Sequence, residues 1–376
     1  MIKIVLLLVS MLPVMAGAII AASLPLIAQQ FAALPNALTL ARLMLTLPAL
    51  FVAFSGPVVG VLIDRLGSRP VLLFGLLVFT LAGTSGLWLS DPYLLLGGRG
   101  LLGIAVACII TASTVMIGDH FTGAARNSLM GLRGAFMALG GFLFVSVGGA
   151  LSDFHWRAPF AVYVIAVLFL ALSWAFLPTK VALETSEHKE EEAINPKSSL
   201  VNLILVASFF GMMMFYLVPV ELPFFLRSRF GLSGTVIGLA IGVTTLFGAL
   251  GSLLHKKLLK RLDFSTIQSL SFLLTALGYW GLQASTSKLM VVFALIPAGL
   301  GSGLMMPNFT LWIMTVTPAK LRGRYLGRLT FAIFMGQFAA PFLLIYSPEG
   351  WGHYSFAAVL LLVGSCCLFG LNRLSR

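Results

Sequence analysis

Gly60-Val61-Leu62-Ile63-Asp64-Arg65-Leu66-Gly67-Ser68-Arg69-Pro70 is the stretch whose reading decides the fold. Its charged side chains, Asp64, Arg65 and Arg69, sit in a glycine-punctuated turn. An apolar run over about 40–63 leads into the turn, and a second over about 71–90 leads out of it. Each run is long enough to cross a bilayer core, which takes about 20 residues of helix. Charges packed so closely against two such runs mark a tight hairpin at a membrane surface rather than a soluble loop.

The composition of the whole chain points the same way. It has 376 residues, of which 59% are hydrophobic and 10% charged, and its mean hydropathy is +1.02. A soluble domain carries about 25% charged residues, so lipid has to be the solvent here. The net charge of +12 would suggest nucleic acid in a soluble protein. In a membrane protein it is read instead as Lys and Arg anchoring cytoplasmic loops, and no nucleic-acid partner is expected. Cys108, Cys366 and Cys367 all fall in apolar runs and form neither a disulfide framework nor a metal-ligand spacing. No metal or cofactor is expected.

The apolar runs predict twelve helices, over 4–27, 39–63, 71–90, 94–117, 128–151, 156–178, 199–226, 233–254, 264–285, 289–316, 322–346 and 353–373. The first is read as an uncleaved helix, because its apolar run outlasts a signal-peptide core. The only long polar stretch contains Glu184, Glu187, His188, Lys189 and Glu190-Glu191-Glu192. It is read as a solvated linker over 179–198, joining six helices (1–178) to six (199–376). Short connections between long apolar runs favour helices over a barrel.

Lys and Arg set the orientation. With both termini cytoplasmic, that side receives Lys3, Arg65, Arg69, Arg126, Arg133, the linker lysines, Lys256, Lys257, Lys260, Arg261, Lys320, Arg322, Arg324, Arg328, Arg373 and Arg376. The opposite side receives Arg42, Arg157, Arg227, Arg229 and Lys288, and Arg99 alone is placed inside the membrane. The halves also repeat. Arg126, Gly131 and Gly140 recur as Arg322, Gly327 and Gly336, and Leu24-Pro25 recurs as Leu222-Pro223. Gly60-x-x-x-Asp64-Arg65 has a degraded partner in Gly251 with His255, Lys256 and Lys257.

The turn resembles the loop between helices two and three of the major facilitator superfamily of transporters, matching it at Gly60, Asp64, Arg65, Gly67 and Arg69, with Ser68 in place of a basic residue. The resemblance implies an all-α membrane protein of twelve helices, built as two pseudo-symmetric six-helix bundles. It also implies that the loop latches the cytoplasmic ends of the two halves, with Arg322 and Arg324 as a partner for Asp64. The rival reading is that Asp64 and Arg65 only cap helices and set topology. Leu96-x-x-Arg99-x-x-Leu102-Gly103 resembles a second motif, found in proton-coupled members, with Leu102 in place of Gln. In helix five, Phe144-Val145 precede Gly148-Gly149 where the drug:proton antiporters of the superfamily carry Gly-Pro, so the glycines persist without the proline kink.

Chemistry-bearing residues inside spans are few. Arg99 is a candidate for coupling or for shaping a cavity, since a charge at that depth costs a few kcal/mol without a partner; snorkelling to the interface is its rival. Glu221, in Val218-Pro219-Val220-Glu221-Leu222-Pro223, is the acid placed inside a helix and the second proton-coupling candidate. Pairing with Arg227 or Arg229 at the interface is the rival reading. Helix ten carries Gly299, Gly301 and Gly303 before Met306-Pro307-Asn308, and reads as an interrupted helix suited to a gate. Candidate substrate-cavity groups are Gln29, Thr111, Ser113, Thr114, Tyr216, Thr244, Thr245, Asn308, Thr310 and Gln337.

The sequence contains no HExxH, GxSxG or Walker-type phosphate loop, and an enzyme is not expected. The reading is a monomeric secondary transporter in the cell inner membrane, working by alternating access. Sparse intramembrane charge suggests a neutral, lipophilic or weakly cationic small-molecule substrate, exported in exchange for protons. Transport of one metabolite or siderophore, in either direction, is the alternative.

Overall fold

A computed structural model describes residues 1–178, 198–318, 321–348 and 350–374. Of the expected linker only Ser198 is among them; Lys320 lies outside the described residues too. The chain forms two compact units: Met1–Glu187 with Pro219–Leu239, and His188–Val218 with Ala240–Arg376.

The first unit is made by α1 (Ile2–Val9), α2 (Leu12–Ala21), α3 (Leu24–Gln30), α4 (Ala37–Leu66), α5 (Ser68–Thr84), α6 (Pro92–His120), α7 (Gly123–Ser152) and α8 (Ile165–Phe176). It also takes in the end of α9 (Ser198–Phe230) and the start of α10 (Gly234–Leu258). The rest of α9 and α10 forms the second unit with α11 (Phe264–Ala284), α12 (Lys288–Val316), α13 (Arg322–Ile345) and α14 (His353–Leu374).

Eleven helical segments among the described residues are long and apolar enough to cross a membrane. The predicted ninth span, α11, is as long but more polar, because Gln268, Ser269, Ser271 and Thr275 interrupt its apolar run. All four are buried. Ser271 donates to the Gly301 carbonyl of α12 at 2.7 Å, and Ser265 donates to the Leu368 carbonyl of α14 at 2.9 Å. The polarity is therefore turned towards neighbouring helices, where hydroxyls act as glue.

Three expected spans differ in detail. The first is broken at Ser10–Met11 and Ala22–Ser23, where Pro13 and Pro25 open the following segments and remove backbone donors. The third ends at Thr84 and runs on as a 3-10 turn over Ser85–Leu87. The sixth begins as a 3-10 helix over Ala158–Val164 before α8. The expected interruption of helix ten is absent: α12 is continuous through Pro297 and Pro307. Its glycines serve close packing instead, with Gly299 against Thr244 of α10 and Gly301 against Ser271 and Thr275 of α11.

The repeat has a packing counterpart. A Cβ on Gly140 would collide with Met11, and one on Gly336 would collide with the α9 backbone at Phe209 and Met213. Each glycine lets the fifth span of its half approach the first span of that half. Tyr163 packs on Phe79 of α5, with ring centroids 5.4 Å apart, and Tyr279 of α11 packs on Tyr354 of α14 at 5.2 Å.

Candidate functional site

The turn that opened the sequence reading is built as expected of a hairpin. α4 ends at Leu66, Gly67 takes φ +87°, and α5 starts at Ser68. That left-handed conformation is open to glycine and strained for other residues, which accounts for the residue type. Asp64 and Arg65 are exposed in the last turn of α4. Arg69 reaches α8, donating to the Trp174 carbonyl at 2.6 Å and lying 5.6 Å from its ring centroid. Gly60 has open space on its Cα face. Arg322 and Arg324 are exposed in the first turn of α13.

Arg99 is 1% exposed, so it does not snorkel. Its guanidinium binds three segments at once: Nε donates to the Met44 carbonyl of α4 at 2.7 Å, Nη1 to the Tyr163 hydroxyl at 2.8 Å, and Nη2 to the Ala16 carbonyl of α2. Tyr163 also donates to the Ala16 carbonyl, at 2.9 Å. The cation is thus solvated by main-chain dipoles and a phenol rather than by a carboxylate.

Arg99 is not the one basic side chain within a span, as the sequence reading had it. Arg42 and Arg133, assigned to opposite membrane surfaces by charge counting, are 7% and 9% exposed. Arg42 Nη2 meets Glu221 Oε2 at 2.6 Å, and the Arg42 guanidinium also lies 5.3 Å from the Phe224 ring centroid. Glu221 is the one carboxylate buried among the described residues. Its partner Arg42 stands 179 positions earlier in the chain. Pro219 and Pro223 bracket it within a continuous α9, and each removes one backbone donor from the turn that carries the carboxylate. An apolar run that starts with an arginine, as at Leu40-Ala41-Arg42-Leu43, was the signal available for Arg42.

Arg133 of α7 gathers two of the cavity candidates on α6. Its Nη1 donates to Thr114 Oγ1 at 2.5 Å, and its Nη2 lies 3.4 Å from Ser113 Oγ. Thr111 is half-buried one helical turn away.

The other cavity candidates are dispersed. Asn308 is fully buried in a polar cluster: Oδ1 faces His255 Nε2 at 3.1 Å, while Nδ2 donates to the Phe264 carbonyl at 2.9 Å and to Gln268 Oε1 at 3.1 Å. With both amide hydrogens spent, Asn308 offers His255 an oxygen, so His255 Nε2 is the protonated nitrogen. Thr244, Thr245 and Thr310 bond back to carbonyls of their own helices. Gln29 is exposed at the end of α3, Gln337 is buried, and Tyr216 is half-buried beside Phe215.

At the other end of the first unit, Asp153 follows α7 and caps the N-terminus of α10. It accepts from Gly234 N at 2.5 Å, Thr235 N at 2.9 Å and Thr235 Oγ1 at 2.6 Å. The helices approach closely because Gly149 and Gly238 lack side chains: a Cβ on Gly238 would lie 2.5 Å from the Val145 carbonyl oxygen. Partial burial opposes ionisation of Asp153, but the Thr235 and Gly234 hydrogen bonds and the Arg227 charge outweigh it. The carboxyl is held below its ordinary value.

Comparison with known proteins gives a match to the model of the Major Facilitator Superfamily over residues 6–372. The class D tetracycline resistance protein of Salmonella ordonez is 26% identical over 321 residues, covering 81% of this chain and 78% of that one. The multidrug efflux pump LfrA of Mycolicibacterium smegmatis is 36% identical over 156 residues, 40% of this chain and 30% of that protein. The multidrug transporter MdtP of Bacillus subtilis is 25% identical, covering 68% of this chain and 58% of that one. The match thus spans less than two thirds of the latter two relatives. Among solved structures, a D-xylose-proton symporter aligns with TM-score 0.78 at 17% identity, over 98% of this chain and 96% of that one. A peptide transporter in complex with sulfate aligns with TM-score 0.81 at 14% identity, over 99% and 94%. These two likenesses speak for the fold.

Proposed function

The chain belongs to the Major Facilitator Superfamily, whose members are multi-pass membrane transporters rather than enzymes, and from that premise we propose that it exports small lipophilic molecules in exchange for protons. The transport cycle is alternating access between six-helix halves at 1–178 and 199–376, in the cytoplasmic membrane, with both termini cytoplasmic. Relatives whose names include tetracycline resistance and multidrug efflux support the direction and the substrate class. The Asp64 turn, with Arg322 and Arg324 at the start of α13, serves as the cytoplasmic latch in this reading. An exposed carboxylate is attracted to the positive end of a helix.

The observation that carries proton exchange is the Arg42–Glu221 pair. A carboxylate inside a span is costly unless it is paired or neutralised. In this reading Glu221 alternates between ion-pairing with Arg42 and carrying the exchanged proton, when the Arg42 guanidinium has to turn to other acceptors. A cycle that alternates between them carries one proton per turn. Arg99 lacks this choice, because a guanidinium stays charged throughout.

Glu221→Gln mimics the protonated state permanently. In proteoliposomes with an imposed pH gradient it should abolish uphill accumulation of a lipophilic dye while leaving downhill exchange in place. Uphill transport at the wild-type rate by this variant removes Glu221 from the coupling mechanism.

A further inference from the structure

Among its described residues the first unit buries three arginines, Arg42, Arg99 and Arg133, against one carboxylate, Glu221. Arg42 is neutralised by that carboxylate, and Arg99 has all three guanidinium nitrogens donating. Arg133 has neither arrangement. Only its Nη1 makes a short bond, to Thr114. Its Nη2 stands 3.4 Å from Ser113 Oγ and 3.5 Å from the Ile110 carbonyl oxygen, at the outer limit of hydrogen bonding. Its Nε is buried with no partner. The Ser113 and Thr114 hydroxyls donate their own hydrogens to the Ile110 carbonyl, so towards Arg133 they act as acceptors.

The under-used groups are adjacent. Nε and Nη2 form one edge of the guanidinium plane, the edge that binds a carboxylate through two parallel hydrogen bonds. The surrounding charge favours an anion. Arg126, two turns earlier on α7, also reaches α6 beside Gly118, and Lys3 lies 5.5 Å from the Phe121 ring centroid at the end of α6. His120 is tied to the Met116 carbonyl at 2.9 Å, and the carboxylate on this part of α6, Asp119, is exposed.

We propose that Arg133, with Thr114 holding its other edge, is a binding position for a planar acidic group on the transported molecule, a carboxylate or an equivalent pair of acidic oxygens. This rests on the transport reading above and narrows its lipophilic substrates to acids and zwitterions, against the weakly cationic class that the sequence suggested. Thr114 fixes the guanidinium by accepting from Nη1, which leaves Nε without a protein partner and Nη2 with only its two long contacts.

The test uses a carboxyl-bearing fluorescent dye and its methyl ester. Equilibrium binding to the detergent-purified full chain is measured by tryptophan quenching, and transport separately in proteoliposomes. The wild type should bind the acid about tenfold or more tighter than the ester, the size of a lost charge-assisted pair. Arg133→Gln should erase that preference, Arg133→Lys should restore part of it, and Thr114→Val should weaken the acid more than the ester. Equal wild-type binding of acid and ester overturns the assignment, as does a folded Arg133→Gln protein that keeps the preference. Binding of the acid with the expected preference but no transport supports the site and removes the export reading.

Discussion

Each unit ties its helices together through a buried polar centre, and the two centres are chemically different. In the first unit the centre is Arg99, a permanent cation held by two main-chain carbonyls and the Tyr163 hydroxyl. In the second it is Asn308, a neutral amide that binds His255, Gln268 and the Phe264 carbonyl. A buried cation has no inexpensive way to lose its partners. A neutral amide loses only the net worth of its hydrogen bonds when they break. The first centre therefore holds its helices more tightly, and the second yields at lower cost.

The largest test of this contrast is to truncate both centres. Arg99→Ala removes a fully buried large side chain and all of its bonds, and should cost about 3–5 kcal/mol. Asn308→Ala should cost about 1–3 kcal/mol, mainly from buried donors and acceptors left unpaired. Thermal unfolding of the purified protein, followed by tryptophan fluorescence, reads both. An Asn308 variant less stable than the Arg99 variant reverses the ranking.

The paired tyrosines give a smaller and cleaner comparison. Each hydroxyl reaches a main-chain carbonyl in the first span of its half: Tyr163 to Ala16, Tyr279 to Met214. Only Tyr163 also accepts from an arginine. Tyr163→Phe should cost about 1–3 kcal/mol because it strands a donor of a buried cation, against about 0.5–1.5 kcal/mol for Tyr279→Phe. Equal losses from the two variants would mean that the charge at Arg99 adds nothing to the tie.

The span count, the hairpin at Gly67 and the depth of Arg99 were legible because apolar run length and glycine placement are local properties of sequence. The partners of Arg99 were not. Two of them are main-chain carbonyls, which every residue type supplies, so no residue marks them. The Arg42–Glu221 pair was missed for a different reason: counting charges by topology assigns an arginine near a span end to the surface. Arg42 and Arg133 lie close enough to the ends for that rule, yet both are turned inwards. The polarity of α11 lowered its membrane signal although Gln268, Ser269, Ser271 and Thr275 are buried, since hydropathy averages around a helix and does not see which face is covered.

The smallest expected effect carries the charge contrast to the rim of the first unit. Asp153 is exposed, so solvent screens it, and its cap on α10 should be worth less than about 1 kcal/mol. Its titration still gives the cap a pH signature of its own. The carboxyl is held below its ordinary value in the folded protein, because the Thr235 and Gly234 bonds and the Arg227 charge outweigh partial burial. A group depressed in this way stabilises the fold above its unfolded value and loses that contribution as the pH falls through the lower folded value. Asp153→Asn keeps an acceptor oxygen for Gly234 or Thr235 but removes the charge. The variant should therefore be slightly less stable than the wild type at pH 7, and the two should converge as the pH drops below about 4, the ordinary range of an aspartate. A gap of constant size between pH 7 and pH 3 would show that Asp153 acts through shape alone, and that the charge contrast does not extend beyond the buried arginines.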